Sequence, residues 1–419
     1  MAKRKILVYI ADYRGCGYYR CFLPYFELQR QGLADVKITS FVDIEDIMRA
    51  DVVVFQRQYH DPAMNALLTA KRFKKIVISE NDDYLFAMPP WGINAQMFQK
   101  DSQNLQTLQR VYRQSDALTL STRNLSAYHE ADNELRFVLP NCVDETFIED
   151  AQESQRPTLL YGAAGGHEVD VMAVQKQVTR IFNEFPDLVI VTIGRDYRLN
   201  LVGSISEERT IHHPSGFDSC LKRMEEFMNA SLPEYENPKE WRMTWSYDGW
   251  DTGDNYILGV SGRNGNKVKV KYDGMHWEIP DYYEEIRKTG AWFGIAPLCV
   301  NAFNSSKSWL KVLEYAMSGI PSIASNFGQY EELVTGKDPY SASRDPSAFC
   351  MNGGEVGEPN TAYAWIKAMK MMIENRAMRQ RMRRSAIEWA KSMSIQKNVR
   401  LWYAAIETTI EHAKQKIPA

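Results

Sequence analysis

The chain has 419 residues, of which 44% are hydrophobic and 25% charged, and 50 Lys+Arg against 53 Asp+Glu give a formal net charge of −3. That length exceeds one ordinary domain, suggests about two or three, and allows ample core without disulfide or metal staples. The charge balance speaks against a globally basic nucleic-acid binder, and no apolar run approaches the ~20 residues that span a bilayer.

Residues 1–150 alternate strand and helix patterns. Residues 6–10 form a short apolar run followed at once by Asp12 and Arg14, so residues 5–10 read as a buried first strand and not as a signal peptide. Residues 19–31 read as a helix ended by Gly32. Residues 51–56, 75–79, 117–121 and 136–139 are further short apolar runs, of the kind found in parallel strands buried on both faces. Their alternation with helices predicts a doubly wound α/β domain. Residues 140–157, rich in Glu, Asp and Gln, read as a linker.

A second α/β domain is expected over 151–395. It opens with a strand at 158–161, a tight loop at 162–166, a helix at 169–185 and a strand at 188–194. Over about 205–285 the pattern breaks. Trp241, Trp245, Trp250, Trp277, many tyrosines and the turn signals Arg263-Asn264-Gly265 and Tyr272-Asp273-Gly274 read as an irregular, partly β insertion with a small core of its own. Its aromatic faces also suit sugars or bases. The pattern resumes with a strand at 292–298, a helix at 306–318, a break at Gly319-Ile320-Pro321 and a strand at 322–325. From Thr361 the chain is helical, and 396–419 are expected to pack back on the first domain. His212 and His213 read as loop residues, and the basic runs 71–75 and 379–384 as solvated faces. The six cysteines form no C-x-x-C pair, so no metal or redox site is signalled and a reducing cytoplasm is expected.

The segment 306–321 carries the strongest chemical signal. On a helix, Lys307, Lys311 and Glu314 fall at i, i+4 and i+7 and form one polar stripe. A strand ahead of that helix delivers its start to the carboxyl edge of a sheet. There the backbone N–H groups, with Lys307, Ser308 and Lys311, suit a diphosphate. Glu314, deeper, suits ribose hydroxyls, because a carboxylate accepts two hydrogen bonds. Spacing alone fits equally a solvated face with a weak ion pair.

The run 295–325, with APL and FNSSKSWLKVLEYAMSGIPSIAS, resembles the donor-binding core of the retaining GT-B glycosyltransferases of family four. The resemblance implies two Rossmann-like domains facing a cleft, with the insertion in the second. It implies transfer of a sugar from a nucleotide-sugar donor, UDP-linked by default, to a hydroxyl acceptor, with retention and without a metal or other cofactor. In that family a glutamate ahead of A-x-G-x-P binds the donor ribose, a role that carries to Glu314. The acidic residue usual eight positions earlier is Ser306 here.

LLYGAAGGHEVDV at 159–171 resembles the first strand and loop of the family's donor domain. Gly165 and Gly166 would let the backbone approach the ligand, and His167 stands where relatives carry a basic residue facing the phosphates; the alternative is an ordinary turn with His167 exposed. RGCGYYR at 14–20 resembles the N-terminal glycine-rich loop. Gly15 and Gly17 would form a tight turn and Arg20 a bidentate phosphate donor, or else a salt bridge. Arg20 occupies the place of the third glycine of a dinucleotide fingerprint, which argues against a dehydrogenase. SENDDYLFAMPP at 79–90 resembles an acceptor-domain segment in which Asp82 and Asp83 orient an acceptor hydroxyl or take its proton, or serve simply as turn residues. Asp82, Asp83, His167 and Lys311 are thus the expected catalytic groups. The expected acceptor is a glycan, a lipid-linked glycan or a hydroxymethylated base in DNA. The rival readings are a nucleotide-sugar epimerase and a non-catalytic nucleotide-sugar-binding protein, the second favoured by Ser306.

Overall fold

The computed structural model describes residues 3–12, 14–92, 94–214, 226, 242–250, 255–261, 267–272, 278–335, 349–356 and 361–416. Among them the strands form two sheets, one of nine and one of six. Six strands of the first are parallel: β1 Arg4–Tyr9, β2 Ala34–Thr39, β3 Val52–Gln56, β4 Ile76–Asn81, β5 Ala117–Leu120 and β6 Arg136–Val138, in the order β2-β1-β3-β4-β5-β6. β3 and β5 are buried throughout, as strands covered by crossover helices on both faces must be. β2 escapes a sequence reading because Asp35 and Lys37 interrupt its apolar run.

The second sheet comprises β7 Thr158–Ala163, β8 Val189–Gly194, β9 Thr210–Pro214, β13 Phe293–Ala296, β14 Ser322–Ala324 and β15 Cys350–Asn352. All are parallel, in the order β15-β14-β13-β7-β8-β9. The chain builds outward from β7 in one direction and from β13 in the other. The loops after β7 and β13 therefore meet at the switch point, where open α/β sheets bind ligands. His212 and His213 lie within β9 and not in a loop, and His212 Nδ1 lies 3.1 Å from the Thr192 hydroxyl of β8.

Among the described residues, the strands of the insertion add to the first sheet. β10 Arg242–Asp248, β11 Asn255–Ser261 and β12 Lys267–Tyr272 form an antiparallel extension of the first sheet, with β10 pairing to β2 in the register Tyr247↔Ile38. Tyr247 is buried in the first core and meets Phe26 edge-on at 5.4 Å. Trp250 donates its indole N–H to the Asp35 carbonyl at 3.1 Å. An edge strand with unpaired backbone is a liability that such an addition removes. Trp241, Trp277, Asn264, Gly265, Asp273 and Gly274 lie outside the described residues.

Two further ties join the halves. Val143 N–H donates to Met393 O at 3.1 Å and Ile395 N–H donates to Val143 O at 2.8 Å, so the two crossing segments pair with each other. The final helix, Arg400–Gln415, then packs on the first half, burying Trp402, Ala405 and Ile406 in the same cluster as Ile6 and Val8. The run 379–384 is a solvated face only in part: Arg381 and Arg384 are exposed, whereas Arg379 and Arg383 are buried in helix Arg376–Ser392 and grip Glu153 at 2.7 Å and Asp150 at 2.6 Å of the linker. No helix among the described residues is long and apolar enough to cross a membrane.

Candidate active site

A cavity of about 550 Å³ lies between the halves and takes side chains from both. One wall comes from the loops after β1 and β4 and carries Gly15, Tyr19, Asp82 and Asp83. The facing wall comes from the loops after β7 and β13 and carries Gly165, His167, Lys307, Ser308, Lys311 and Glu314.

The second wall departs from its expected geometry at one point. The helix begins at Leu310, not at Ser306, and runs to Met317. Ala302–Ser305 forms a separate short helix whose cap is the Asn301 side chain. The Ser306 hydroxyl donates back to Phe303 O at 2.7 Å, a local bond that competes with helix continuation. Lys307 and Ser308 therefore sit in a turn and share no helical stripe with Lys311 and Glu314. The chain still brings all four to the cavity. Ser306 itself is buried and seals the interface: it accepts the Tyr84 N–H at 3.1 Å, and its carbonyl accepts the Thr122 hydroxyl at 3.0 Å.

Burial dominates the electrostatics here. It pulls Lys311 down to about 8, against the favourable charges of Asp170 and Glu314. It pushes Glu314 up to about 7, although the Tyr19 hydroxyl, Lys311 and Tyr282 all favour the carboxylate. Lys311 Nζ also lies 4.3 Å from the centre of the Tyr161 ring, a cation–π contact that partly replaces lost water. His167 lines the cavity with Nδ1 2.9 Å from Asp170, which also accepts Cys299 N–H and Asn304 Nδ2 at 2.8 Å each. Burial and then the Lys311 charge bring His167 down to about 4, outweighing Asp170. Both effects disfavour a positive charge on this ring. Gly166 adopts φ +93, a left-handed conformation that a side chain would strain, and shapes the turn beside Gly165.

On the first wall Gly17 makes the expected tight turn without lining the cavity, and Arg20 takes the salt-bridge alternative instead of the phosphate role. A Cβ on Gly17 would lie 1.7 Å from the Asp12 carbonyl oxygen, so this glycine permits a tight internal turn and not approach of a ligand. Arg20 is fully buried and bidentate on Glu80 at 2.6 and 3.2 Å. Its Nη1 amino group serves Leu139 O at 2.6 Å and Asn141 Oδ1 at 2.9 Å. Arg20 is therefore a structural ion pair, not a phosphate grip. Asp82 pairs with Arg57 Nε at 3.5 Å, and Arg57 also holds Asp12 at 2.5 Å. Asp83 reaches across the cleft to Lys307 Nζ at 3.3 Å. Burial opposes its ionisation, yet Lys307 and Arg57 hold its carboxyl below the usual range.

Sequence reasoning missed Tyr19, Tyr282, Asp170, Arg57 and Asn141. Asp170 had a signal, one turn after His167 on helix Glu168–Met172. Tyr19 donates to Glu314 Oε1 at 2.7 Å from a π-helical turn, Tyr18–Phe22; such turns recur at functional sites. Asn141 donates to the Ser308 hydroxyl at 2.7 Å. Tyr282 lies on helix Glu278–Lys288, after the insertion, where nothing local marks it.

No family model matches the chain, and no curated protein matches it in sequence. Solved structures do match. Sucrose-phosphate synthase from Thermosynechococcus elongatus superposes with a TM-score of 0.53 at 11% identity, over 98% of this chain and 100% of that one. HepE from Anabaena in complex with UDP-glucose gives 0.51 at 11% identity, over 97% and 100%. A glycosyltransferase from Rickettsia africae gives 0.50 at 12% identity, over 99% and 100%. The chain therefore has the GT-B glycosyltransferase-like fold, two Rossmann-like halves facing each other across the cleft that holds the site.

Proposed function

We propose that this protein is a glycosyltransferase that moves a sugar from a nucleoside-diphosphate sugar, UDP-linked, to an acceptor hydroxyl. One observation carries the reading: Lys307, Lys311 and Glu314 converge at the switch point of the second sheet, opposite Asp82 and Asp83 in a single cavity. HepE, which shares the fold, was solved with UDP and with UDP-glucose.

In this reading Lys307 and Lys311 face the diphosphate. As the bond between the sugar and the phosphate oxygen breaks, negative charge grows on that oxygen, and fixed cations in a water-poor cleft stabilise it. The lysines supply this charge, so the reading needs no metal. Glu314 accepts the ribose hydroxyls. The Asp170 contact fixes the His167 proton on Nδ1 and leaves the Nε2 lone pair for a hydroxyl of the transferred sugar. Asp82 and Asp83 orient the acceptor hydroxyl and take its proton. Retention of configuration and kinship with family four rest on the 295–325 motif. A glycan or lipid-linked glycan suits the acceptor wall, where Asp82 and Asp83 line the cavity and oppose a polyanion such as DNA. The buried Ser306, with no acid reaching the cavity at that position, favours a second reading: a nucleotide-sugar-binding protein without transfer.

A thermal-shift screen of UDP-, ADP- and GDP-sugars tests donor binding, since a ligand at 100 times its Kd adds about 2.7 kcal/mol of stability. Release of nucleoside diphosphate on adding glycan acceptors then separates transfer from binding alone. Glu314→Ala and Lys311→Ala should each weaken donor binding or turnover about tenfold or more while remaining folded. Near-normal transfer by both would refute the site.

A further inference from the structure

The geometry points to Tyr19 and Asp83 as built-in stand-ins for the two polar ends of the donor, which a bound donor must displace. This rests on the nucleotide-sugar reading above. Each of two donor groups on the second wall is already engaged from the first half. The Tyr19 hydroxyl donates to Glu314 Oε1 at 2.7 Å, as a ribose hydroxyl would. The Asp83 carboxylate faces Lys307 Nζ at 3.3 Å, as a phosphate oxygen would. A hydroxyl meets the carboxylate and an anion meets the ammonium, in the pairing a nucleoside diphosphate requires.

Both contacts are supported from behind. Tyr19 is 2% exposed, and its oxygen accepts the Tyr283 hydroxyl at 2.7 Å. Tyr282, beside Tyr283 in the same helix, also favours the Glu314 carboxylate. Beside Asp83, Arg57 lies between Asp12 and Asp82, so cationic charge remains on the first wall when Lys307 turns away.

Displacement sets an order. A diphosphate that takes Lys307 leaves Asp83 without its cross-cleft partner, facing the place of the acceptor. Loss of a cationic neighbour raises the proton affinity of a carboxylate, which suits a group that must accept a hydroxyl proton. The donor thus binds first and prepares the acceptor wall. Tyr19 acts on the donor only through its competition for Glu314.

The two contacts answer to different halves of the donor, which provides the test. Calorimetry on the full chain would compare UDP, uridine and inorganic pyrophosphate. Tyr19→Phe should tighten uridine about tenfold and leave pyrophosphate unchanged, as expected for loss of one competing charge-assisted hydrogen bond. Asp83→Asn should do the reverse, and should lower kcat while tightening UDP. A purely structural role would shift both half-ligands together or lower only the melting temperature. Unchanged or weaker half-ligand binding in folded variants overturns the inference alone. Failure of the wild-type protein to bind UDP, ADP or GDP overturns the nucleotide-sugar reading and this inference with it. If ADP or GDP binds in place of UDP, its nucleoside replaces uridine. If Tyr19→Phe does not fold, Asp83→Asn decides by itself.

Discussion

Glu314 and Lys311 lie three positions apart on one helix, and burial drives their proton equilibria towards each other, the acid up to about 7 and the base down to about 8. Donor binding needs the acid ionised, to accept ribose hydroxyls, and the base protonated, to hold a phosphate. UDP affinity should therefore rise as pH passes upward through about 7 and fall again above about 8, the two limbs belonging to the interacting pair. Titrating Kd from about pH 5.5 to about pH 9.5 checks this. Glu314→Gln should remove the acid limb and Lys311→Met the alkaline one; a flat wild-type profile would sink the assignment of both residues. These two were legible in the sequence because they share a helix and a recognisable motif. Tyr19 was not, since its hydroxyl meets Glu314 across 295 positions of chain. The Arg20 ambiguity also lay beyond local pattern: Glu80, Leu139 and Asn141 come together around it only in the folded sheet.

At the scale of elements, the strands that were legible are the ones with continuous apolar runs, such as Val52–Gln56 and Val189–Gly194. Ala34–Thr39 alternates charged and apolar residues, and its neighbour Arg242–Asp248 arrives from some 200 positions later to pair with it. No local signal encodes that meeting. The helix start at Leu310 instead of Ser306 was hidden for a related reason: Ser306 bonds back to Phe303 and forward to the opposite half, and both bonds need the tertiary structure. The pairing of the insertion with the first sheet gives a test at this scale. Tyr247 is fully buried against Phe26. Tyr247→Ala should cost about 3–5 kcal/mol in urea unfolding, the range for loss of a buried large aromatic. A loss below about 0.5 kcal/mol, within the range of ordinary surface substitutions, would show that this strand is not part of the first core.

In the whole molecule, one continuous cluster runs through both halves. It contains Ile6, Val8 and Tyr25 of the first half, Trp309, Leu313 and Met317 of the second, and Trp389 and Trp402 from the closing helices. The chain also crosses repeatedly: through the linker at Val143, out to the added strands, back through helix Glu278–Lys288, and again at Ile395. Two-domain proteins commonly unfold in separate steps. Here a core shared across the cleft couples the halves, so a lesion in either should lower the stability of both. Arg379→Met in the second half removes a buried partner of Glu153 and should cost about 3–5 kcal/mol. Hydrogen exchange in Arg4–Tyr9 and in Val189–Gly194 reads the two halves separately. Tyr247→Ala and Arg379→Met should each lower protection in both strands by similar amounts, since amides that exchange only by global opening report one free energy. Loss of protection confined to the mutated half would mean that the cleft divides two independent folding units. In that case the contacts of Tyr19 and Asp83 would be the main restraint on domain movement, and Tyr19→Phe with Asp83→Asn would widen the cleft measurably in solution scattering.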